Sequence, residues 1–188
     1  MDKRFLGIMA VLSTAFIVSF VVFTSKNPPP QQLGVKHASQ GETHINRGES
    51  HPPYNSSPAS SGWHYADAGA PVPWGAYTQE IPEEVFLHNA EHGGVIITYK
   101  PDLPKDQITK LQKLFTSPYS DPSFKPSKAI VTPRSKNTKP IELAAWTWTF
   151  SLDRYDEAKL KAFYLQRVGQ APESMAGPSN TPTIQTNP

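Results

Sequence analysis

The chemistry-bearing residues of this chain are concentrated in one part of it. All six histidines lie between His37 and His92, and none follows. The densest stretch is His88-Asn89-Ala90-Glu91-His92, which sets two imidazoles and a carboxylate within five residues and is followed by Gly93-Gly94 and the apolar run Val95 to Tyr99. Spacing decides what the pair can do. As a strand, His88 and His92 would share a face about 13 Å apart, at roughly 3.3 Å per residue. In a helical turn, positions i and i+4 lie roughly 6 Å apart, close enough for both rings to meet one ion. Neutral imidazole suits Zn²⁺ and Cu²⁺, and a carboxylate can complete either coordination sphere. Candidate metal ligands are therefore His88, Glu91 and His92 from this stretch, with His64 and either His44 or His51 supplied by the chain before it. Cysteine is absent, which excludes thiolate ligands, disulfides and a lipid-modified cysteine.

Two other chemistries fit the same residues. His88 to His92 matches H-x-x-E-H, the pattern of zinc peptidases in which both histidines bind the metal and the glutamate is the base. That reaction needs a long helix and a downstream acidic ligand, and Gly93-Gly94 cuts the helix short. The histidines can instead be structural, bonding backbone carbonyls in a surface binding or scaffold module. Trp63 and Trp74 would then be free to stack on a ligand, whereas Trp146 and Trp148 alternate as core residues do.

The elements that must position this cluster can be read from the flanking residues. Pro82, Glu83 and Glu84 suit the start of a helix and Gly93 its end, so a short helix or turn is expected there, then a buried strand over Val95 to Tyr99. Before it, residues 41 to 77 are rich in Pro, Ser, Gly, His and aromatics without a sustained period, as in a long functional loop. After it, Asp102 is placed to cap a helix with apolar positions Ile108, Leu111, Leu114 and Phe115. Lys128 to Thr132 reads as a short strand. Ile141 to Phe150 reads as one longer strand with Ala144, Trp146, Trp148 and Phe150 on one face. Ser151 or Asp153 opens a last helix that buries Leu160, Phe163, Tyr164 and Val168 and stops at Gly169. The order implies an α+β domain, a small sheet with helices packed on it, over residues 41–169.

The flanks read differently. Met1-Asp2-Lys3-Arg4 precedes an uncharged run from Phe5 to Phe23, whose length as helix, about 28 Å, approaches the hydrocarbon thickness of a bilayer. Residues 1–26 are expected to form an uncleaved transmembrane anchor, with Lys3 and Arg4 holding the N-terminus in the cytoplasm and the domain outside, on the cell membrane. Residues 27–40, with three consecutive prolines, read as an extended spacer. Residues 170–188 read as a disordered polar tail. With 18 basic and 16 acidic residues the net charge is only +2, so no nucleic-acid partner is implied.

Two motifs carry a family resemblance. Tyr54-Asn55-Ser56-Ser57-Pro58-Ala59-Ser60-Ser61-Gly62-Trp63-His64 is similar to a "YNS-x-PPTSGPH" segment, with Ala59, Ser60 and Trp63 departing from it. Leu87 to Val95 is similar to "LVHNLEHGGV". With Trp74-Gly75 and Tyr77 between them, they resemble the bacterial domain-of-unknown-function family 3105, over His44 to Phe150. The resemblance implies a membrane-anchored extracytoplasmic protein with family-type positions His44, His64, His88, Glu91 and His92. It implies no mechanism.

Overall fold

The structure, a computed structural model, describes residues 31–124, 126–175 and 177–185. The chain divides into two units, Met1–Gln32 and Leu33–Pro188, and the fold below is that of the second. The expected membrane anchor at Phe5 to Phe23 lies outside the described residues, among which no helix is long and apolar enough to cross a membrane.

The order of elements is β1 (Val35–Lys36), β2 (His44–Ile45), β3 (His64–Tyr65), β4 (Gly75–Tyr77), α1 (Glu83–Glu91), β5 (Val95–Tyr99), α2 (Lys105–Phe115), β6 (Ala129–Pro133), β7 (Ile141–Ala145), β8 (Trp148–Leu152), α3 (Glu157–Arg167) and β9 (Thr183–Gln185). Seven strands form a mixed sheet in the order β1-β8-β7-β5-β6-β4-β9, and β2 and β3 form a separate parallel pair. The β1-β8-β7-β5 half is antiparallel and the β5-β6-β4-β9 half parallel. This is the α+β class the sequence implies, with a larger sheet.

The central strand β5 is buried on both faces, and its alternation sorts the core into two layers. Val95, Ile97 and Tyr99 join Leu111 and Phe115 of α2 and Leu160, Phe163 and Tyr164 of α3. Ile96 joins Trp74, Phe86, Leu87, Ala90 and Trp146 on the other side. Helices α2 and α3 thus cover one face, and α1 with the preceding chain covers the other. Each fully buried Phe or Leu in these layers contributes roughly 1.5–3 kcal/mol.

Helix α1 is short because its exit is built in. Gly93 has φ +80°, its N–H donates to the Ala90 carbonyl and that of Gly94 to the Asn89 carbonyl. That is a Schellman stop, which needs a residue that tolerates the left-handed region. Gly94 has no room for a Cβ, which would stand 2.5 Å from the Trp74 ring. The chain can therefore turn directly from α1 into β5.

Several expectations are corrected. Ile141 to Phe150 is a hairpin, not one strand: Ala145 faces Trp148 across a two-residue turn at Trp146-Thr147. Thr147 takes φ +62°, held where its N–H donates to the Ser60 carbonyl and its carbonyl accepts from His37 N–H. Asp102 does not cap α2, whose N-cap is Pro104, and α3 is capped by Asp156, which accepts from Lys159 N–H. The spacer expected over 27–40 enters the sheet at β1, against Thr149 and Trp148. The tail expected to be disordered from 170 onward instead docks. Its β9 pairs with β4, the Asn180 side chain bonds both the N–H and the carbonyl of Trp74, and the Pro178 carbonyl accepts from the Trp74 indole. Side-chain-to-backbone bonds of this kind leave no hydrophobic period in a sequence. Trp74 is accordingly a core residue, 1% exposed, and not a free stacking platform.

Candidate metal centre

Four side chains converge from three elements. The parallel pairing of β2 with β3 sets His44 directly opposite His64. Helix α1 contributes His88 and Glu91, which at i and i+3 share a face. The ligand atoms of His44, His64 and His88 all lie within 4.8 Å of one another. The Glu91 Oε2 sits among them, 3.0 Å from His64 Nε2, 3.4 Å from His44 Nε2 and 4.0 Å from His88 Nε2. The side chains of His64 and Glu91 are 0% and 1% exposed, His88 is 9%, and His44 is 48%.

Two of the imidazoles have a fixed tautomer. His64 Nδ1 lies 2.8 Å from the Gly62 carbonyl and His88 Nδ1 lies 2.6 Å from the Tyr65 carbonyl. A carbonyl only accepts, so each Nδ1 carries a proton, and each neutral ring presents its lone pair at Nε2 toward the centre. A hydrogen bond of this kind from the far nitrogen is what orients histidine ligands in metal sites. Burial pushes the His88 pKa below its ordinary value, with the neighbouring imidazoles adding to it against the bond to the Tyr65 carbonyl and the Glu91 charge, so His88 favours its neutral form. Burial pushes the Glu91 carboxyl up, but bonds and charge from His64 and His44 outweigh it and hold its pKa below the usual value. The Glu91 carboxylate thus shares the centre with imidazole nitrogens that can either donate a hydrogen bond to it or turn their lone pairs to a divalent ion.

The remaining sequence candidates are placed elsewhere. His92 follows the last residue of α1 as its C-cap. Its ring lies 4.8 Å from that of His88, but its Nδ1 faces the Glu173 carbonyl at 3.3 Å and the Glu173 carboxylate at 3.5 Å. His51 stacks on Trp63 and lies tilted against Tyr54, with Nε2 3.4 Å from Glu84 and Nδ1 2.8 Å from the Pro52 carbonyl. The i, i+4 rings do approach one another, while the three imidazoles whose ligand atoms gather within 4.8 Å are those of His44, His64 and His88. For the H-x-x-E-H chemistry this matters, because Glu91 lies in bonding contact with His44 and His64. The carbonyls of Gly62 and Tyr65 are partners the sequence does not reveal, since a backbone carbonyl has no residue signature.

The far end of α1 is anchored through charge. Arg134, 4% exposed, bonds the Glu83 carboxylate of the first turn, the Asn137 and Ser57 side chains, and the buried Glu142. This network fixes the helix that carries His88 and Glu91.

A mixed-sheet α+β domain with a histidine–carboxylate cluster between a helix end and a parallel strand pair is the class that this fold and site define. The chain belongs to the family described as Protein of unknown function (DUF3105), whose model matches residues 44–180. The match begins at His44 of the cluster and ends at Asn180 of the docked C-terminal segment. No curated protein and no solved structure matches the chain.

Proposed function

We propose that this protein is a membrane-anchored, extracytoplasmic metal-binding protein that holds one divalent ion, Zn²⁺ or Cu²⁺, through His44, His64 and His88 with Glu91 as the carboxylate. The observation that carries the reading is the convergence of three imidazoles on one carboxylate oxygen, two of them with Nδ1 held by backbone carbonyls. All-nitrogen and oxygen donors suit these ions, and the absence of cysteine disfavours soft-metal chemistry. Binding would link β2 and β3 to α1, and so couple metal to the order of a segment with little core of its own. The uncharged run Phe5 to Phe23 behind Lys3 and Arg4 supports the anchor, with the N-terminus in the cytoplasm and the domain outside. Elemental analysis of the purified protein tests the metal; protease treatment of intact cells tests the topology.

A second reading is favoured by the same two carbonyl bonds. His64 and His88 pin β3 to its loop and to α1, so the cluster would act as a structural clamp in a surface binding module, with His64 Nε2 bonded to Glu91. Under that reading the protein gains no thermal stability from Zn²⁺ or Cu²⁺. The peptidase reading has less support, because His92 is turned to Glu173.

A further inference from the structure

The ligands of the cluster are unequal. His64 and His88 are buried, and each has its Nδ1 committed to a backbone carbonyl. Glu91 is buried on the helix. His44 differs on every count. Nearly half of its side chain is exposed, and among the described residues its ring is bonded through Nε2 to Glu91 at 3.4 Å and its two-residue strand pairs with β3. It lies against the other rings without being enclosed by them, stacked on His88 at 5.2 Å and edge-on to His64 at 4.8 Å. Among the described residues, His44 is thus the most exposed member of the cluster and is held by a single long ring bond.

Resting on the metal-binding reading, we propose that His44 is the exchangeable ligand of this site, and that the ion enters and leaves by substitution at His44 with an incoming imidazole donor. His64, His88 and Glu91 hold the ion during that first substitution, and it passes to the acceptor only as further donors of the acceptor replace these three in turn, one bond forming as each bond breaks. The exchange is a ligand substitution without redox change. A neutral incoming imidazole forms its bond to the ion through a ring-nitrogen lone pair as the bond from His44 Nε2 breaks. The displaced His44 leaves as neutral imidazole, and no proton need move.

The test uses the full chain in detergent micelles, loaded with one equivalent of Zn²⁺. Zinc release to a chromophoric chelator is followed by stopped flow for wild type and His44→Ala, and equilibrium binding is measured with and without free imidazole. His44→Ala is expected to keep one zinc, bound at least about 10-fold more weakly and released correspondingly faster, since even the loss of an outer-shell partner costs roughly 10–100-fold. Free imidazole should restore its affinity, because the vacated position opens to solvent. His64→Asn and His88→Asn should lose stoichiometric zinc and not be rescued. Because a buried variant can misfold, the comparison of wild type with His44→Ala decides the matter alone. A release rate for His44→Ala equal to that of wild type overturns the proposal, as does loss of zinc that imidazole does not restore. Wild type that binds no zinc overturns the metal reading as well, which separates the two failures.

Discussion

The docked C-terminal segment can be tested at Asn180. Its side chain makes a two-way clamp on Trp74, Nδ2 donating to the carbonyl at 2.9 Å and Oδ1 accepting from the N–H at 2.9 Å. Trp74 is 1% exposed and packs its ring over Gly94, at the exit of α1. Asn180→Ala removes both partners and leaves a buried donor and a buried acceptor. Each such group costs about 1–3 kcal/mol, and partial access of water to the half-buried Asn180 position brings the sum to about 2–3 kcal/mol. For a folded unit of this size, that lowers the melting temperature by roughly 5–10 °C. Asn180→Asp keeps the acceptor but sets a second carboxylate oxygen against the Trp74 carbonyl, so it should cost at least as much as Asn180→Ala. Urea unfolding followed by tryptophan fluorescence reads both. A loss below about 0.5 kcal/mol for Asn180→Ala, the level of an ordinary surface change, would refute the docking.

Gly94→Ala would push a Cβ to 2.5 Å from the Trp74 ring and 2.8 Å from the Asn89 carbonyl, so it should destabilise by about 1–3 kcal/mol and change the near-UV signal of Trp74. Arg134→Ala leaves Glu142, 2% exposed, without its cation and releases Glu83, and unfolding in urea should show a loss of about 3–5 kcal/mol. Acid should weaken the metal-free fold. The folded-state pKa of His88 is lowered, so its contribution is fully present above the unfolded value near 6.5 and falls as pH drops through the folded one; Glu91, also lowered, acts in the same direction below about 4.5. The urea midpoint should therefore fall between pH 7.5 and 5.5, and His88→Gln should flatten that slope. Glu91→Gln should weaken zinc by roughly 10–100-fold in a competition titration, through loss of the charge among the imidazoles.

What the sequence discloses follows from where the information is local. Helix α1 is legible because Glu83, Glu84 and Gly93 mark its ends, and β5 because five apolar or half-apolar residues follow a glycine pair. The β7–β8 hairpin is hidden because Trp146-Thr147 carries no Gly or Asn, the left-handed Thr147 being held by bonds from residues far along the chain. Docking of the segment after Gly169 is hidden because it depends on one amide, one indole and a three-residue strand. At the site, His64, His88 and Glu91 are legible from residue type and the helical turn. That His44 joins them, and not His51, rests on the β2–β3 register, set by a stretch without periodicity. His92 looks equivalent to Glu91 on spacing alone, yet the helix ends at Glu91, so the residue at i+3 faces the cluster and His92 turns toward Glu173.

The central claim is tested most directly by counting metal in the purified full chain, wild type beside His88→Asn, after dialysis against Zn²⁺ and removal of unbound ion. The account predicts one equivalent in wild type, a clear rise in melting temperature on loading, and neither in the variant. No retained metal in wild type, or equal retention in the variant, would contradict it.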